Sequence, residues 1–240
     1  MKTRKYLKDN KEKMILSREK YKTIVKLKKK FNFTDFDLIT NYGLFCGDTN
    51  LYKTLTIYDL INQTRNIRGD IIELGIWKGN NSLLIKKILS IFKIKKKIYL
   101  LDHFKGLIHY NKKDTKISKK FKGQFIGKKK QIQKFINFFN FNNIKIIDKD
   151  ATTLTPHYFK NLKFSLAYFD MDLYEPTLCA LKAIDQNMSL GSYIVFDEGN
   201  KNTWSEKVAI RDFLKINKKY KKFFLDKNRQ PDLLLKKIRK

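Results

Sequence analysis

The chain has 240 residues, of which 42% are hydrophobic and 14% aromatic, so it can bury the core of one ordinary domain and is not wholly disordered. Its formal net charge is +30, from 53 Lys and Arg against 23 Asp and Glu. The lysines are spread along the whole chain and greatly outnumber the arginines. We therefore attribute the positive charge to a drift in amino-acid composition and not to nucleic-acid binding. Nucleic-acid-binding proteins usually carry clustered Arg-rich and aromatic patches.

The cysteines and the first residues bear on the cellular compartment. Cys46 and Cys179 match neither a CxxC pair nor a zinc-ligand set, so we expect two reduced thiols and a cytoplasmic protein. The basic start lacks the apolar core of a signal peptide, and no window approaches the roughly 18 apolar residues of a membrane span. We therefore expect neither secretion nor membrane insertion.

Residues 1–52 are predicted to form a basic, partly helical extension. Basic runs such as Lys28–Lys30 occur with apolar residues that can form a loose amphipathic helix over residues 1–30. From Phe31 to Thr64 the pattern is aromatic and partly helical, and its apolar spacing gives one buried face, as in a lid or a lead-in helix. We place the main domain at residues 53–240.

The main domain alternates short apolar strands with helical spacing. Helical patterns follow most of the strands, notably at 80–92 after the first and 176–186 after the fourth. The predicted strands are 69–75, 97–102, 143–148, 164–170 and 192–197. This alternation is typical of an α/β fold with a Rossmann-like, doubly wound and mostly parallel sheet.

Two further segments complete the predicted domain. After a helix at 206–215, the apolar stretches 222–225 and 233–235 flank a turn and indicate a C-terminal antiparallel hairpin of two edge strands. The basic stretch from Lys112 to Lys130 has weak periodicity. We expect it to be a mobile loop beside the site.

The turn after the first strand is the first candidate ligand site, because ligands of an open parallel sheet bind beyond the carboxyl ends of its strands. Gly75 and Gly79 let the backbone approach a ligand, but Trp77 fills the place of the middle glycine of GxGxxG. A nicotinamide cofactor is therefore disfavoured. Glu73, before the turn, suits the amino group of the methionine part of S-adenosylmethionine. A plain strand–helix turn with one buried Glu explains the segment equally well.

Acids also end later strands. Asp102 ends the second, where a carboxylate can accept both ribose hydroxyls of a cofactor. Asp170 and Asp172 close the fourth strand, and Asp197 with Glu198 closes the fifth. Carboxylates gathered at one sheet edge need a cation, and oxygen ligands of this kind suit Mg²⁺. Solvated strand-end acids without a metal are the simpler alternative.

Four blocks of sequence carry a resemblance to one family. They are Gly69 to Gly79, Leu101 to Leu107, Phe169 to Thr177 and Gly191 to Gly199. In this order and spacing they resemble the macrocin-type O-methyltransferases of the tylosin and mycinamicin pathways, and more distantly catechol O-methyltransferase. Arg229 to Asp232 is similar to the same family's closing hairpin.

The resemblance implies an S-adenosylmethionine-dependent O-methyltransferase with a Mg²⁺ ion. The implied metal ligands are Asp170, Asp197 and Glu198, although the family often has Asp–Asp where this chain has Asp197–Glu198. The implied cofactor site comprises Glu73, Gly75, Trp77, Gly79, Asp102 and Asp150. In that site Asp102 would hold the ribose and Asp150 would lie near the adenine.

The implied reaction is direct attack of a sugar hydroxyl on the sulfonium methyl, with the metal favouring loss of the hydroxyl proton. Asp170 or His103 can take that proton, and the sequence does not choose between them. The acceptor would be a sugar, a glycoside or a polysaccharide precursor. A homo-oligomer is compatible with the sequence but is not specified by it.

Two rival functions stay open at this point. One is a metal-dependent glycosyltransferase that uses Asp170–Met171–Asp172 as a DxD site. The other is a basic nucleic-acid-binding module with a degenerate cofactor pocket.

Overall fold

The computed structural model describes residues 25–26, 28–32, 34, 51–226 and 228–239. The chain divides into two compact units, Met1–Leu51 and Tyr52–Lys240. In the first unit, residues 25–26 and 28–31 are helical. Most of the predicted extension, with its role as a lid, lies outside the described residues, as does Cys46.

The second unit is built on a seven-stranded sheet of order β3-β2-β1-β4-β5-β7-β6. The strands are β1 (Asp70–Leu74), β2 (Ile98–Asp102), β3 (Ile144–Asp148), β4 (Phe164–Phe169), β5 (Met188–Phe196), β6 (Tyr220–Phe224) and β7 (Leu233–Lys237). Strands β1 to β5 pair in parallel, whereas β7 pairs antiparallel with both β5 and β6. The predicted α/β, mostly parallel sheet with a C-terminal hairpin is confirmed, and the strand order reverses between β1 and β4.

The prediction of two edge strands at the C-terminus is wrong for one of them. Only β6 lies at the edge, because β7 is inserted between β5 and β6. The run Leu233–Leu235 is buried, as expected of a strand that is covered on both faces. Strand β5 also begins at Met188, four residues before the predicted start at Ser192.

Helices cover both faces of the sheet. They are α1 (Leu51–Thr64), α2 (Asn80–Ile91), α3 (Lys116–Lys119), α4 (Lys129–Phe138), α5 (Tyr174–Ile184) and α6 (Glu206–Ile216). Buried residues of α1, α2 and α4 form one core cluster with the sheet, and those of α5 and α6 form the other. On β1, Ile71 belongs to the first cluster, while Ile72 and Leu74 belong to the second. Fully burying one such side chain is worth about 1.5–3 kcal/mol.

In the part of the chain that the structure describes, no helix combines the length and apolarity that a membrane crossing requires.

The segment predicted as a mobile loop contains α3 and a buried anchor. Asp114 is 6% exposed, and its carboxylate accepts the backbone N–H of Tyr174 at 2.9 Å and that of Asn111 at 2.7 Å. Thr115 donates from its hydroxyl to the carbonyl of Thr203 at 2.7 Å. The segment is therefore tied to the start of α5 and to the chain before α6. Hydrophobic periodicity missed the contacts of Asp114 with Tyr174 and of Thr115 with Thr203 because they join polar groups that are far apart in sequence.

Asp114→Ala should lower the free energy of unfolding by about 1.5–3 kcal/mol, because it leaves two backbone donors without a charged acceptor. Urea unfolding followed by circular dichroism measures the change. Lys112→Ala, at an exposed position two residues earlier, is the control and should stay within about 0.5 kcal/mol of the wild type. An Asp114→Ala protein as stable as the control would show that the segment is not anchored there.

Candidate active site

Glu73, on β1, lies at the carboxyl edge of the sheet and is 2% exposed. Its carboxylate accepts Asn81 Nδ2 at 3.3 Å and the hydroxyl of Ser82, both from the first turn of α2. Burial raises the pKa of Glu73 to about 7, against the opposing effect of these hydrogen bonds. In this structure Glu73 therefore joins β1 to α2, and its part in cofactor binding stays a prediction.

The turn between β1 and α2 is held tightly against the end of β4. Gly75 has φ +83°, and a Cβ atom there would lie 2.0 Å from the carbonyl oxygen of Asp170. Gly79 also has a positive φ, of +78°, and is the N-cap of α2. Trp77 lies between them at φ +49°, with its ring edge-on to Phe125. The glycine at 75 is needed for this close backbone contact.

Asp102, at the end of β2, organises the same turn. Its Oδ2 accepts the backbone N–H groups of Ile76 at 2.9 Å and Trp77 at 3.1 Å. Its Oδ1 accepts the N–H of Phe104 at 2.7 Å. A carboxylate offers about four acceptor positions, so these three bonds leave room for a ribose hydroxyl. The sequence pointed to Asp102 as a ligand-binding residue but not to this structural role.

Asp150 follows β3 and caps a short 3₁₀ turn through bonds from Thr152 N at 2.9 Å and Thr152 Oγ1 at 2.8 Å. Its Oδ2 contacts His109 Nε2, and the His109 ring lies edge-on to that of His103. Burial acts to raise the pKa of Asp150, but the bonds from Thr152 and His109 outweigh it and the pKa falls. Sequence reasoning missed His109, which lies 41 residues from its partner.

His103, His109 and Asp150 also place three possible metal-ligating atoms within 4.8 Å of one another, and no other such group occurs among the described residues. However, His103 Nδ1 accepts the backbone N–H of Lys105 at 3.0 Å. A neutral His103 then carries its proton on Nε2, and its Nδ1 acts as an acceptor. In a metal-ligating histidine, by contrast, one ring nitrogen binds the metal and the other normally donates its N–H to a neighbouring group. We therefore do not assign a metal to this group.

Asp197, at the end of β5, pairs with a lysine that sequence reasoning missed. Its Oδ1 lies 2.6 Å from Lys53 Nζ and accepts the Tyr168 hydroxyl at 2.5 Å. Lys53 comes from the first turn of α1, and its side chain is 13% exposed. Burial acts to lower the pKa of Lys53, but the charges of Asp197 and Asp170 outweigh it, so the pKa is raised. Lys53 is therefore a buried cation among these acids.

The loop after β5 is tied to the hairpin. Glu198 Oε1 accepts Gln230 Nε2 and lies 3.6 Å from Lys201 Nζ. Asp232 is fully buried and accepts the backbone N–H of Asn200 at 2.9 Å. Burial raises the pKa of Asp232 to about 6. The segment 229–232, noted in sequence only as a closing hairpin, thus helps to fix Glu198 and the loop after β5.

Glu206, at the start of α6, joins the ends of β4 and β5. Its carboxylate accepts the backbone N–H of Met171 at 2.8 Å and that of Glu198 at 3.4 Å. It is 1% exposed, and burial raises its pKa well above the usual value. Sequence reasoning missed Glu206 because the apolar spacing of α6 does not mark a buried acid in its first turn.

The predicted metal ligands have the right chemistry for Mg²⁺, since all three are carboxylates. In the described chain, Asp170, Asp197 and Glu198 do not form a group with three ligand atoms within 4.8 Å of one another. Asp197 is instead neutralised by Lys53. The metal ligand set stays a prediction.

A sequence profile of one family, Macrocin-O-methyltransferase (TylF), matches residues 6–223. The chain belongs to this family. The resemblance drawn from the four sequence blocks is thereby confirmed.

Individual relatives are distant. The demethyldecarbamoylnovobiocin O-methyltransferase of Streptomyces niveus is 23% identical over 55% of this chain and 53% of its own. A tetracenomycin rhamnosyl 4'-O-methyltransferase of Streptomyces olivaceus is 21% identical over the same shares. The matched region thus spans about half the length of these curated relatives.

Solved structures share the fold across more of the chain. The calicheamicin methyltransferase CalS11 superposes with a TM-score of 0.74 at 22% identity, covering 96% of both chains. The O-methyltransferase NovP gives 0.65 at 17% identity, covering 79% of this chain and 81% of its own. The fold is that of the class I methyltransferases.

The raised pKa of Glu73 predicts a specific pH dependence of stability. Between pH 4.5, its usual pKa, and about 7, the folded protein retains a proton that the unfolded chain has lost. The contribution of Glu73 to stability is therefore present below pH 4.5 and is lost as the pH rises to about 7. We expect a loss on the order of 2–3 kcal/mol from this residue.

Urea unfolding of the wild type and of Glu73→Gln at pH 5, 6 and 7.5 measures this effect. The variant has no titrating group at position 73, so its stability should fall less over this range. Equal pH dependence in the two proteins would contradict the assignment.

Proposed function

We propose that this chain is an S-adenosylmethionine-dependent O-methyltransferase that methylates a hydroxyl of a sugar, a glycoside or a polysaccharide precursor. The observation that carries the proposal is the family match over residues 6–223. One structural neighbour is described as a TDP-rhamnose 3'-O-methyltransferase, with a TM-score of 0.68 at 21% identity. An O-methyltransferase of Bacillus cereus with a TM-score of 0.52 is described in complex with SAH.

The cofactor would bind at the turn between β1 and α2. The close packing of Gly75 against Asp170 fixes the backbone of this turn, and Asp102 orients its N–H groups. Asp102 has acceptor capacity for a ribose hydroxyl. Asp150, which follows β3, would accept a hydrogen bond from the exocyclic amine of adenine.

Methyl transfer needs an acceptor oxygen aligned with the sulfonium methyl, at about 3 Å, and a group that receives the hydroxyl proton. The O–CH₃ bond forms as the S–CH₃ bond breaks. We assign the base to Asp170, because its backbone contacts Gly75 where the strand order reverses, a common ligand position in open sheets. His103 is not assigned as the base, because its ring packs against His109, which contacts Asp150, the residue proposed to bind adenine.

A Mg²⁺ ion would be held by Asp170, Asp197 and Glu198. When bound, it would supply positive charge that favours deprotonation of the acceptor hydroxyl. Glu206 would keep the two acid-bearing strand ends in register through its bonds to Met171 and Glu198.

The comparisons do not support the two rival functions. The matched family and both curated relatives are methyltransferases, so a glycosyltransferase DxD role for Asp170–Met171–Asp172 is disfavoured. Asp172 is buried at φ +62°, and its carbonyl accepts the backbone N–H of Ser205 at 2.9 Å. A nucleic-acid-binding module has only the dispersed lysines in its favour.

Calorimetry should show binding of S-adenosylmethionine that Asp102→Ala weakens by about tenfold or more, since a charge-assisted bond is worth about 1.5–3 kcal/mol. The matched control is Asp148→Ala. Asp148 pairs in register with Asp102 on the next strand, but it is exposed and bonds to Lys129 at the surface. It should leave the affinity unchanged. Equal affinities of the two variants would remove Asp102 from the site, and no binding by the wild type would refute the cofactor.

Asp170→Asn should reduce turnover by about 10²–10⁴-fold and leave cofactor affinity nearly unchanged, because it removes the proposed base. The assay is methyl transfer to TDP-rhamnose and to other vicinal-diol sugars, with affinity measured separately. His103→Asn is the comparison and should retain most of the turnover. The reverse result, with His103→Asn inactive and Asp170→Asn active, would transfer the base role to His103.

A further inference from the structure

We propose that Lys53 is a tethered cation that competes with a divalent metal for Asp197. On this proposal the acids at the ends of β4 and β5 bind Mg²⁺ only when the Lys53 ammonium gives up the Asp197 carboxylate. The inference rests on the metal ligand set in the proposed function, but it does not depend on the methyl donor.

The Lys53–Asp197 pair is enclosed by protein. The two side chains are 13% and 5% exposed, and Nζ lies 2.6 Å from Oδ1. Tyr168 contacts both partners, since its hydroxyl donates to Oδ1 and its ring centroid lies 5.7 Å from Nζ. Such a pair is screened much less than a surface ion pair.

The acids around the pair explain why a cation is needed there. Glu73, Asp197 and Glu206 are at most 3% exposed, and Asp170 acts electrostatically on Lys53. An acid at such depth costs several kcal/mol in its ionised form unless a positive charge compensates it. From sequence alone this compensation was assigned to Mg²⁺. In the structure an ammonium supplies it.

A metal and the ammonium cannot both use Asp197 without cost. An ionised carboxylate oxygen has about two acceptor positions, and Oδ1 uses them for Lys53 and Tyr168. A Mg²⁺ ion at Oδ1, at about 2.0–2.1 Å, would displace one of these donors. An ion at Oδ2 would be held close to the ammonium on the same carboxylate, where the like charges repel.

The test is metal binding by the full-length protein without cofactor or acceptor, in a titration with Mg²⁺ by calorimetry and with Mn²⁺ by electron paramagnetic resonance. Lys53→Met should bind either ion at least about tenfold more tightly than the wild type, because a nearby charge shifts such equilibria by about ten- to a thousandfold. Lys53→Gln removes the charge but keeps an amide donor for Asp197. It carries the test if the methionine variant does not fold.

Lys96→Met is the matched control. Lys96 is also a buried lysine, at 9% exposure, but its Nζ donates to the carbonyls of Ile67 and Gly69 at 2.6 Å each, near the opposite ends of the strands. Its replacement should leave metal affinity unchanged. The double variant Lys53→Met, Asp197→Asn should lose the tighter binding, which would locate it at Asp197.

Metal affinity that is the same in the wild type and both neutral Lys53 variants would overturn the proposal, as would the absence of metal binding from all three. The affinity for S-adenosylmethionine, measured in parallel, separates the two ideas. If S-adenosylmethionine binds but replacement of Lys53 does not change the metal affinity, only the role of Lys53 is refuted. Tighter metal binding by the variants without any cofactor binding supports Lys53 and refutes the methyl donor.

Discussion

Burial of acidic side chains at the carboxyl edge of the sheet is the constraint on which the rest of the site depends. Glu73, Asp197 and Glu206 are nearly inaccessible to solvent, and each needs a donor or a cation inside the protein. Three different solutions are present: hydroxyl and amide donors from α2 at Glu73, a lysine from α1 at Asp197, and backbone N–H groups at Glu206. Elements from distant parts of the chain are thereby fixed to one edge.

The two sides of this edge differ in how they are held. On the β1–β2 side, Asp102 binds three backbone N–H groups, and the Gly75 contact leaves no room for the turn to shift towards β4. On the β5 side, the partners of Asp197 and Glu198 include the long side chains of Lys53 and Gln230. Backbone donors are preorganised, whereas long side chains can exchange partners. The turn at the proposed cofactor site is thus held more rigidly than the contacts that Lys53 and Gln230 make on the β5 side.

The sequence was informative where apolar periodicity and strand ends coincide. It located all five parallel strands, and with them Asp102, Asp170 and Asp197, because a buried strand of an α/β sheet is a short apolar run. It did not reveal Lys53, His109 or Glu206. Each of these is a polar residue whose partner lies far away in sequence or is a backbone group, and periodicity carries no information about such pairs. The position of β7 was missed for a related reason, since an apolar run does not specify its neighbours.

The position of Lys53 on α1 also makes its ammonium group hard to displace from Asp197. About one to two turns further along the helix, Ile57, Leu60 and Ile61 are at most 3% exposed and pack with residues of the sheet. This packing holds the first turn of α1 near Asp197, so the ammonium is presented at a high local concentration instead of being drawn from solvent. The partial positive charge at the N-terminus of α1 acts in the same sense as the ammonium. A metal at these acids must therefore displace a cation that the core of the protein keeps in place.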